Sequence, residues 1–325
     1  MRIQLFTICA SAVGIWQATA QDSRPHPMPS AACMELNQRI VDKLEIGQLA
    51  EAEAVLSGPG IRNESDLCIW MTLHNRANMI ALSGRLVEAE VLAEQSLRIL
   101  DKFVSPNDPL RFRPLQLLWT VQMHQGKIGK ARQTLQSMRT LRLDQPRDLA
   151  MFYGAAAGQL HGEERYKEAE QAYFQALAAC KEAGRGESTE MATLLVGLGT
   201  TQSVQERYSD AGKTLDRAFA IVNSAKDTIP MDLVGILTAR ATLHARLGRW
   251  QSAEEDLKST ISIVDRDTQL DADSLKRLLV NYGYVLRKIR RTKEARSIEA
   301  RAEALQTPGW KNAIVDVSEL VAKKR

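Results

Sequence analysis

Apolar residues recur at three- and four-residue steps through most of this chain, with charged positions between them. In Leu86–Leu100 the apolar set Leu86, Ala89, Ala93, Leu97 and Leu100 alternates in this way with Glu88, Glu90, Glu94 and Arg98. That is the period of an amphipathic helix. Beyond residue 20 no stretch sustains period-two alternation, so the pattern predicts an all-α chain with almost no strand. Turn-forming clusters interrupt the helical pattern at Ser57–Gly60, Ser105–Pro109, Gln145-Pro146, Gly184–Gly186 and Thr228–Pro230. Ser65 or Asp66, Asp148, Asp232, and Asp273 or Ser274 stand where helices would be capped.

The helices repeat. Aligned on one alanine, seven segments share a pattern: Gly47–Glu53, Gly84–Glu90, Gly126–Arg132, Glu164–Glu170, Glu206–Gly212, Gly248–Glu254 and Arg290–Arg296. Their anchors are Ala52, Ala89, Ala131, Ala169, Ala211, Ala253 and Ala295, spaced 37, 42, 38, 42, 42 and 42 residues apart. Twelve residues before each anchor stands a position that is small in five of seven units: Ile40, Ala77, Trp119, Ala157, Gly199, Ala241 and Gly283. A small side chain there lets the second helix of a hairpin lie close to the first. Five before the anchor, glycine recurs (Gly47, Gly84, Gly126, Gly248), where a helix can end in the left-handed conformation. Each unit therefore reads as helix A, a tight turn and helix B. A fixed period of this size means stacked units, none of which can bury its apolar face alone.

This pattern resembles the tetratricopeptide repeat, in the 42-residue form of kinesin light chains. The best matches are Asn75-Arg-Ala77 with Gly84–Glu90, and Asn281-Tyr-Gly283 with Lys293-Glu-Ala295. The resemblance covers residues 32–306 and implies a right-handed α-solenoid of about seven hairpins. It departs from the family at Ile40, Trp119 and Glu299, where small or core residues are expected.

The ends read differently. Met1-Arg2, the apolar run Ile3–Trp16 and Ala18-Thr-Ala20 predict a secretory signal peptide over 1–20, cleaved after Ala20. Residues 21–31 read as a disordered linker. Residues 307–325 read as a tail that caps the last unit, with Trp310, Ile314, Val317 and Val321 on one face. The expected location is secreted or periplasmic, with no integral membrane segment after cleavage.

Export makes the cysteines informative. Cys33 and Cys68 both fall at the start of helix A in consecutive units, which suits either a disulfide or two buried thiols. Cys180 reads as a small core residue. The net charge of +4 is too mild to imply nucleic acid. The basic run Arg287, Lys288, Arg290, Arg291, Lys293 and Arg296 is either a solvated helix face or a surface for an acidic partner or lipid.

Catalytic chemistry finds no motif. The five histidines are scattered, no metal-ligand spacing occurs, and Gly197-Leu-Gly199 falls mid-helix rather than in a phosphate loop. The reading is a non-enzyme without cofactor or metal. The resemblance implies that helix A of each unit lines a concave groove, so the candidate binding residues are Asn75, Asn78, Arg113, Thr200, Thr242, Arg277, Asn281, Tyr284 and Arg287. Arg277, Tyr284 and Arg287 suit a carboxylate; Asn75 and Asn281 suit a bound backbone. The expected function is a scaffold that holds a protein or peptide, acidic in one version of this reading. A small-molecule or glycan-binding accessory module is the alternative.

Overall fold

The computed structural model describes residues 30–45, 48–56, 66–224, 230–266 and 272–305. The signal peptide, nearly all of the linker, Gly47 and the tail lie outside these residues. Everything regular among the described residues is helical. Hairpin one is α1 (Ala31–Glu45) with α2 (Leu49–Leu56), and hairpin two is α3 (Asp66–Leu82) with α4 (Leu86–Leu100). A 3-10 turn, Pro109–Arg111, leads into α5 (Phe112–His124) and α6 (Ile128–Arg139). Hairpin four is α7 (Pro146–Gly162) with α8 (Tyr166–Glu182), and five is α9 (Thr189–Val204) with α10 (Tyr208–Ser224). Six is α11 (Pro230–Arg246) with α12 (Trp250–Arg266), and seven is α13 (Ala272–Lys288) with α14 (Thr292–Glu303). The chain divides into two compact units, with the boundary between Asp148 and Leu149 near the start of α7.

The hairpins form because helix B can approach helix A closely. All seven anchoring alanines are fully buried. Opposite them, Ala77, Ala157 and Ala241 are buried as well. A methyl on Gly199 would lie 2.8 Å from Leu215, and one on Gly197 would lie 2.4 Å from the Tyr173 ring. Both glycines are therefore packing residues. The bulky exceptions, Ile40 and Trp119, are buried too, so these two hairpins accommodate a large side chain at the same position.

The turns of hairpins two to seven close in one way. The residue four before the anchor donates its N–H five residues back, as in Arg85 to Ile80, Arg207 to Gln202 and Arg291 to Leu286. The residue before it donates three back, as in Gly84 to Ala81 and Glu206 to Ser203. This Schellman-type closure needs one left-handed residue. Gly84, Gly126 and Gly248 supply it at φ 81°, 71° and 70°. Glu164, Glu206 and Arg290 adopt φ 62° at the same position without glycine's freedom.

Further bonds tie neighbouring hairpins inside each unit. The Gln125 amide donates to the Leu86 carbonyl at 2.9 Å, and Gln205 donates to Tyr166 at 3.3 Å. At the start of hairpin one, the Cys33 and Cys68 sulfurs are bonded, with Cα atoms 5.8 Å apart. Closing 35 residues stabilises a fold by about 3–4 kcal/mol in the chain-entropy picture. Cys180 is a buried free thiol. Expected caps are corrected at three helices: α7 begins at Pro146, α11 at Pro230 and α13 at Ala272, so Asp148, Asp232, Asp273 and Ser274 lie inside their first turns, and the Asp148 carboxylate turns to Arg113 instead.

The left-handed turns make a prediction. Glu206→Gly removes the Cβ crowding at φ 62° and raises stability by about 1 kcal/mol. Urea denaturation of the two chains measures it; an unchanged or lowered midpoint would contradict a strained turn.

Candidate functional site

In the unit ending at Asp148, the expected binding residues lie on α3 and α5. They are not open surface in this structure: Asn75, Asn78 and Arg113 are 3%, 4% and 4% exposed. Asn75 is committed to the stack. Its amide donates to Asn37 Oδ1 on α1 at 2.8 Å, and Asn37 donates in turn to the Cys33 carbonyl at 3.0 Å. The Asn37 amide also lies 3.4 Å from Cys33 Sγ and 3.9 Å from Cys68 Sγ. Asn75 thus braces hairpins one and two around the disulfide, which corrects its expected role as a ligand donor.

Arg113 is similarly engaged: its Nη2 donates to Asp148 Oδ1 at 2.8 Å. Burial pushes the Asp148 carboxyl up, and the Arg113 charge pulls against that shift. Next to this pair, Asn78 Nδ2 lies 3.2 Å from His74 Nε2. Six buried polar atoms on these helices make no hydrogen bond: Trp70 Nε1, Thr72 Oγ1, His74 Nδ1, Asn78 Oδ1, Arg113 Nε and Gln116 Oε1. An orphaned buried polar atom costs about 1–3 kcal/mol. His74 and Gln116 occupy the same position in consecutive repeats, and Asn78 lies one turn beyond His74 on α3.

In the unit from Leu149, the expected residues lie on α9, α11 and α13. Thr200 donates to the Val196 carbonyl at 2.8 Å and Thr242 to the Thr238 carbonyl at 2.8 Å. Thr193 and Thr238 do the same on their own helices. These hydroxyls have spent their proton, so what they retain for a ligand is acceptor capacity only. Gly154 serves packing: a Cβ there would lie 2.8 Å from Leu194.

The C-terminal candidates are corrected most sharply. Arg287 was expected to receive a carboxylate from a partner, but Glu299 takes it in two bonds of 2.6 and 2.5 Å. Glu299 Cγ also fills the space where a Cβ on Gly283 would lie 3.0 Å away. The family departure at Glu299 therefore has a physical answer. Its stem packs on the small residue, and its charge neutralises Arg287. Arg277 donates to Ser274 Oγ at 2.9 Å, and Asn281 lies half-buried on α13. Tyr284 packs edge-on against Trp250 at 6.1 Å, with the Lys288 ammonium 5.1 Å from its ring and 5.6 Å from that of Trp250. Asn37 and Glu299 were not among the expected binding residues, and Lys288 was expected only as part of the basic run. For Glu299 a signal existed, because its twelve-residue separation from Arg287 recurs in the bonds Thr134–Gln122 and Thr214–Gln202.

Among the described residues no group of three His, Cys, Asp or Glu side chains is placed to hold a metal. No described helix is long and apolar enough to cross a membrane.

Solved structures share this arrangement. A Rap protein complexed with Competence and Sporulation Factor superposes with a TM-score of 0.61 at 13% identity, over 99% of this chain and 96% of that one. The fold is the tetratricopeptide-repeat fold. The apo form of RapI matches at TM-score 0.60 and 9% identity, over 90% of this chain and 99% of that one. BtubC (BKLC) from P. vanneervenii matches at 0.52 and 18%, over 72% of this chain and 96% of that one. No known family's sequence profile matches the chain, and no curated protein does. At these identities the likeness of this tetratricopeptide-repeat chain to the solved structures concerns fold alone.

The buried histidine gives a pH prediction. Burial, and secondarily the Arg113 charge, push His74 from 6.5 down to about 4. The folded state then refuses a proton that the unfolded state binds, so its contribution is whole above 6.5 and lost as pH falls towards 4. The slope is at most about 1.4 kcal/mol per pH unit. Urea midpoints of wild type and His74→Gln, followed from neutral pH into that window, should diverge, with the wild type falling more steeply. Parallel curves would rule out a neutral buried His74.

Proposed function

We propose that this protein is a non-catalytic scaffold that holds a protein or peptide segment against its helix-A faces. The observation that carries the reading is three of the six orphaned polar atoms on α3 and α5, those at expected groove positions: His74 Nδ1, Asn78 Oδ1 and Gln116 Oε1. Orphaned buried atoms call for an explanation, and these three stand at groove positions of consecutive repeats, where a bound chain would supply the missing partners. A bound main chain carries both N–H and C=O groups, so it can pair an amide oxygen and an imidazole nitrogen together. The solved Rap structure holding Competence and Sporulation Factor supports a tetratricopeptide-repeat stack as a receptor for another molecule. An acidic ligand at Arg287 is not part of this reading, because Glu299 already occupies that guanidinium.

The same proposal includes an exported location. It rests on the signal-peptide pattern of residues 1–20, and the Cys33–Cys68 bond supports it, since such bonds persist in oxidising compartments. Intact mass of the protein recovered from cells tests this: a chain starting at Gln21 with two fewer hydrogens is expected. A full-length reduced chain would defeat it.

Binding is tested with Asn78→Leu/Gln116→Leu, which keeps side-chain volume and removes the two amides. Replacing an orphaned polar atom by an apolar group of similar shape is neutral or stabilising. Removing the two orphaned oxygens offsets the loss of the Asn78 Nδ2–His74 Nε2 bond, so the double variant should melt near the wild-type temperature while losing the partner that the wild type captures from envelope extracts. Capture at the wild-type level would move the binding surface elsewhere. A lower melting temperature would mean that the two amides serve the fold.

A further inference from the structure

The residue four before each anchor is basic in six of the seven hairpins: Arg85, Lys127, Arg165, Arg207, Arg249 and Arg291. Its carbonyl accepts the first helical bond of helix B, from the anchor N–H itself, so it is the N-cap residue. A cation is poorly suited to that end of a helix, where the dipole is positive. The chain offsets this with carboxylates at two fixed positions. One is the residue just before the anchor of the same hairpin. The other is the residue just after the anchor of the preceding hairpin.

The pairs follow this rule inside each unit. Arg85 pairs with Glu88, and Lys127 pairs with Glu90 of the hairpin before it. Arg165 pairs with Glu168. Arg207 reaches Glu170 at 2.5 Å and Asp210 at 2.6 Å. Arg291 reaches Glu254 at 2.8 Å and Glu294 at 2.5 Å. The ladder therefore runs along the edge formed by the hairpin turns.

It breaks once. At Arg249 the two carboxylate positions are Ser252 and Gly212. Arg249 is exposed and makes no ion pair with the described residues. One turn further along the same edge, Arg290 is likewise exposed and without an ion pair among them. Gly212 is not demanded by packing, because a Cβ there would meet only Leu243 at 3.9 Å, an ordinary contact. The position could carry the glutamate that completes the ladder, and it does not.

We infer that the gap at Gly212 and Ser252 is a docking point for an acidic segment of a partner protein, whose carboxylate takes the ladder place beside Arg249. The neighbouring rungs fix the geometry: a carboxylate from an adjacent helix sits against the N-cap cation, as Glu170 does on Arg207. Arg290 supplies a second positive charge for a segment running along the turns. This site lies on the turn edge of hairpins five to seven. It is separate from the helix-A faces of the scaffold reading and does not depend on them.

The test is the anisotropy of a fluorescein-labelled glutamate-rich peptide titrated with the full chain, with a glutamine version of the peptide as reference. Arg249→Gln removes the cation, and Gly212→Glu fills the place from within. Arg207→Gln removes the same charge from a rung that is already paired. The expected result is an affinity loss of about tenfold for each of the first two and under about threefold for Arg207→Gln. Equal losses for Arg207→Gln and Arg249→Gln would reduce the effect to net charge and overturn the inference. So would a Gly212→Glu chain that binds as the wild type does. Binding to vesicles of anionic phospholipid without binding to the peptide would assign the edge to a membrane and overturn it as well.

Discussion

The close approach of two helices at one buried alanine is the constraint on which this structure depends. At all seven anchors helix B presents nothing larger than a methyl to helix A, and none of the seven is exposed. A larger side chain at an anchor would overpack the contact, typically at a cost of about 1–3 kcal/mol. The alanine also fixes what surrounds it. Its N–H donates the first bond of helix B, so the N-cap lies four residues upstream and the left-handed turn residue five upstream. Once the anchor is placed, turn, cap and helix direction follow for that hairpin. Repetition of the anchor then repeats the whole unit.

Electrostatics is the second layer, and it is subordinate to the first. Most of the ladder's ion pairs join exposed or half-exposed side chains, where solvent screening leaves a pair little net stabilisation. They do not hold the stack together. They remove a penalty, that of a cation at the positive end of a helix, which the N-cap arginines would otherwise impose on each hairpin. Glu90, Glu170 and Glu254 differ in that their own side chains are 6%, 12% and 12% exposed, so losing the cation would leave a poorly hydrated carboxylate. Those rungs couple neighbouring hairpins more firmly than the rungs formed within one hairpin.

The hairpins, their turns and the close-packing glycines were legible in the sequence because each depends on residues within one repeat period. The anchor, the small residue twelve before it and the glycine five before it are all local signals. What lay across a hairpin boundary was not legible. Periodicity assigns a residue to a face, but it does not say what the next helix places opposite. Asn75 was correctly placed on helix A, yet its partner Asn37 comes from another hairpin through a register that depends on tilt. Arg113 looked like a ligand donor from its helix-A position alone, and its partner Asp148 comes from the start of the next hairpin, where it had been read as a cap. Thr200 and Thr242 were read by type as polar and open. A threonine within a helix can instead return its hydroxyl to its own backbone, which sequence does not reveal.

Arg287 shows how structural and binding demands compete for the same positions. A residue eight before the anchor faces inward, where a ligand would meet it, and it also faces the residue four after the anchor. In hairpin seven that residue is Glu299, and the internal pair wins because both members are already held by one hairpin. No partner entropy is lost when they meet, whereas a ligand carboxylate would have to surrender its own freedom and displace Glu299. The same comparison applies to Asn75 with Asn37. It does not apply to Asn78 Oδ1 or Gln116 Oε1, which have no internal competitor. In a repeat protein the positions available to a ligand are therefore those inward-facing groups that the stack has left without a neighbour.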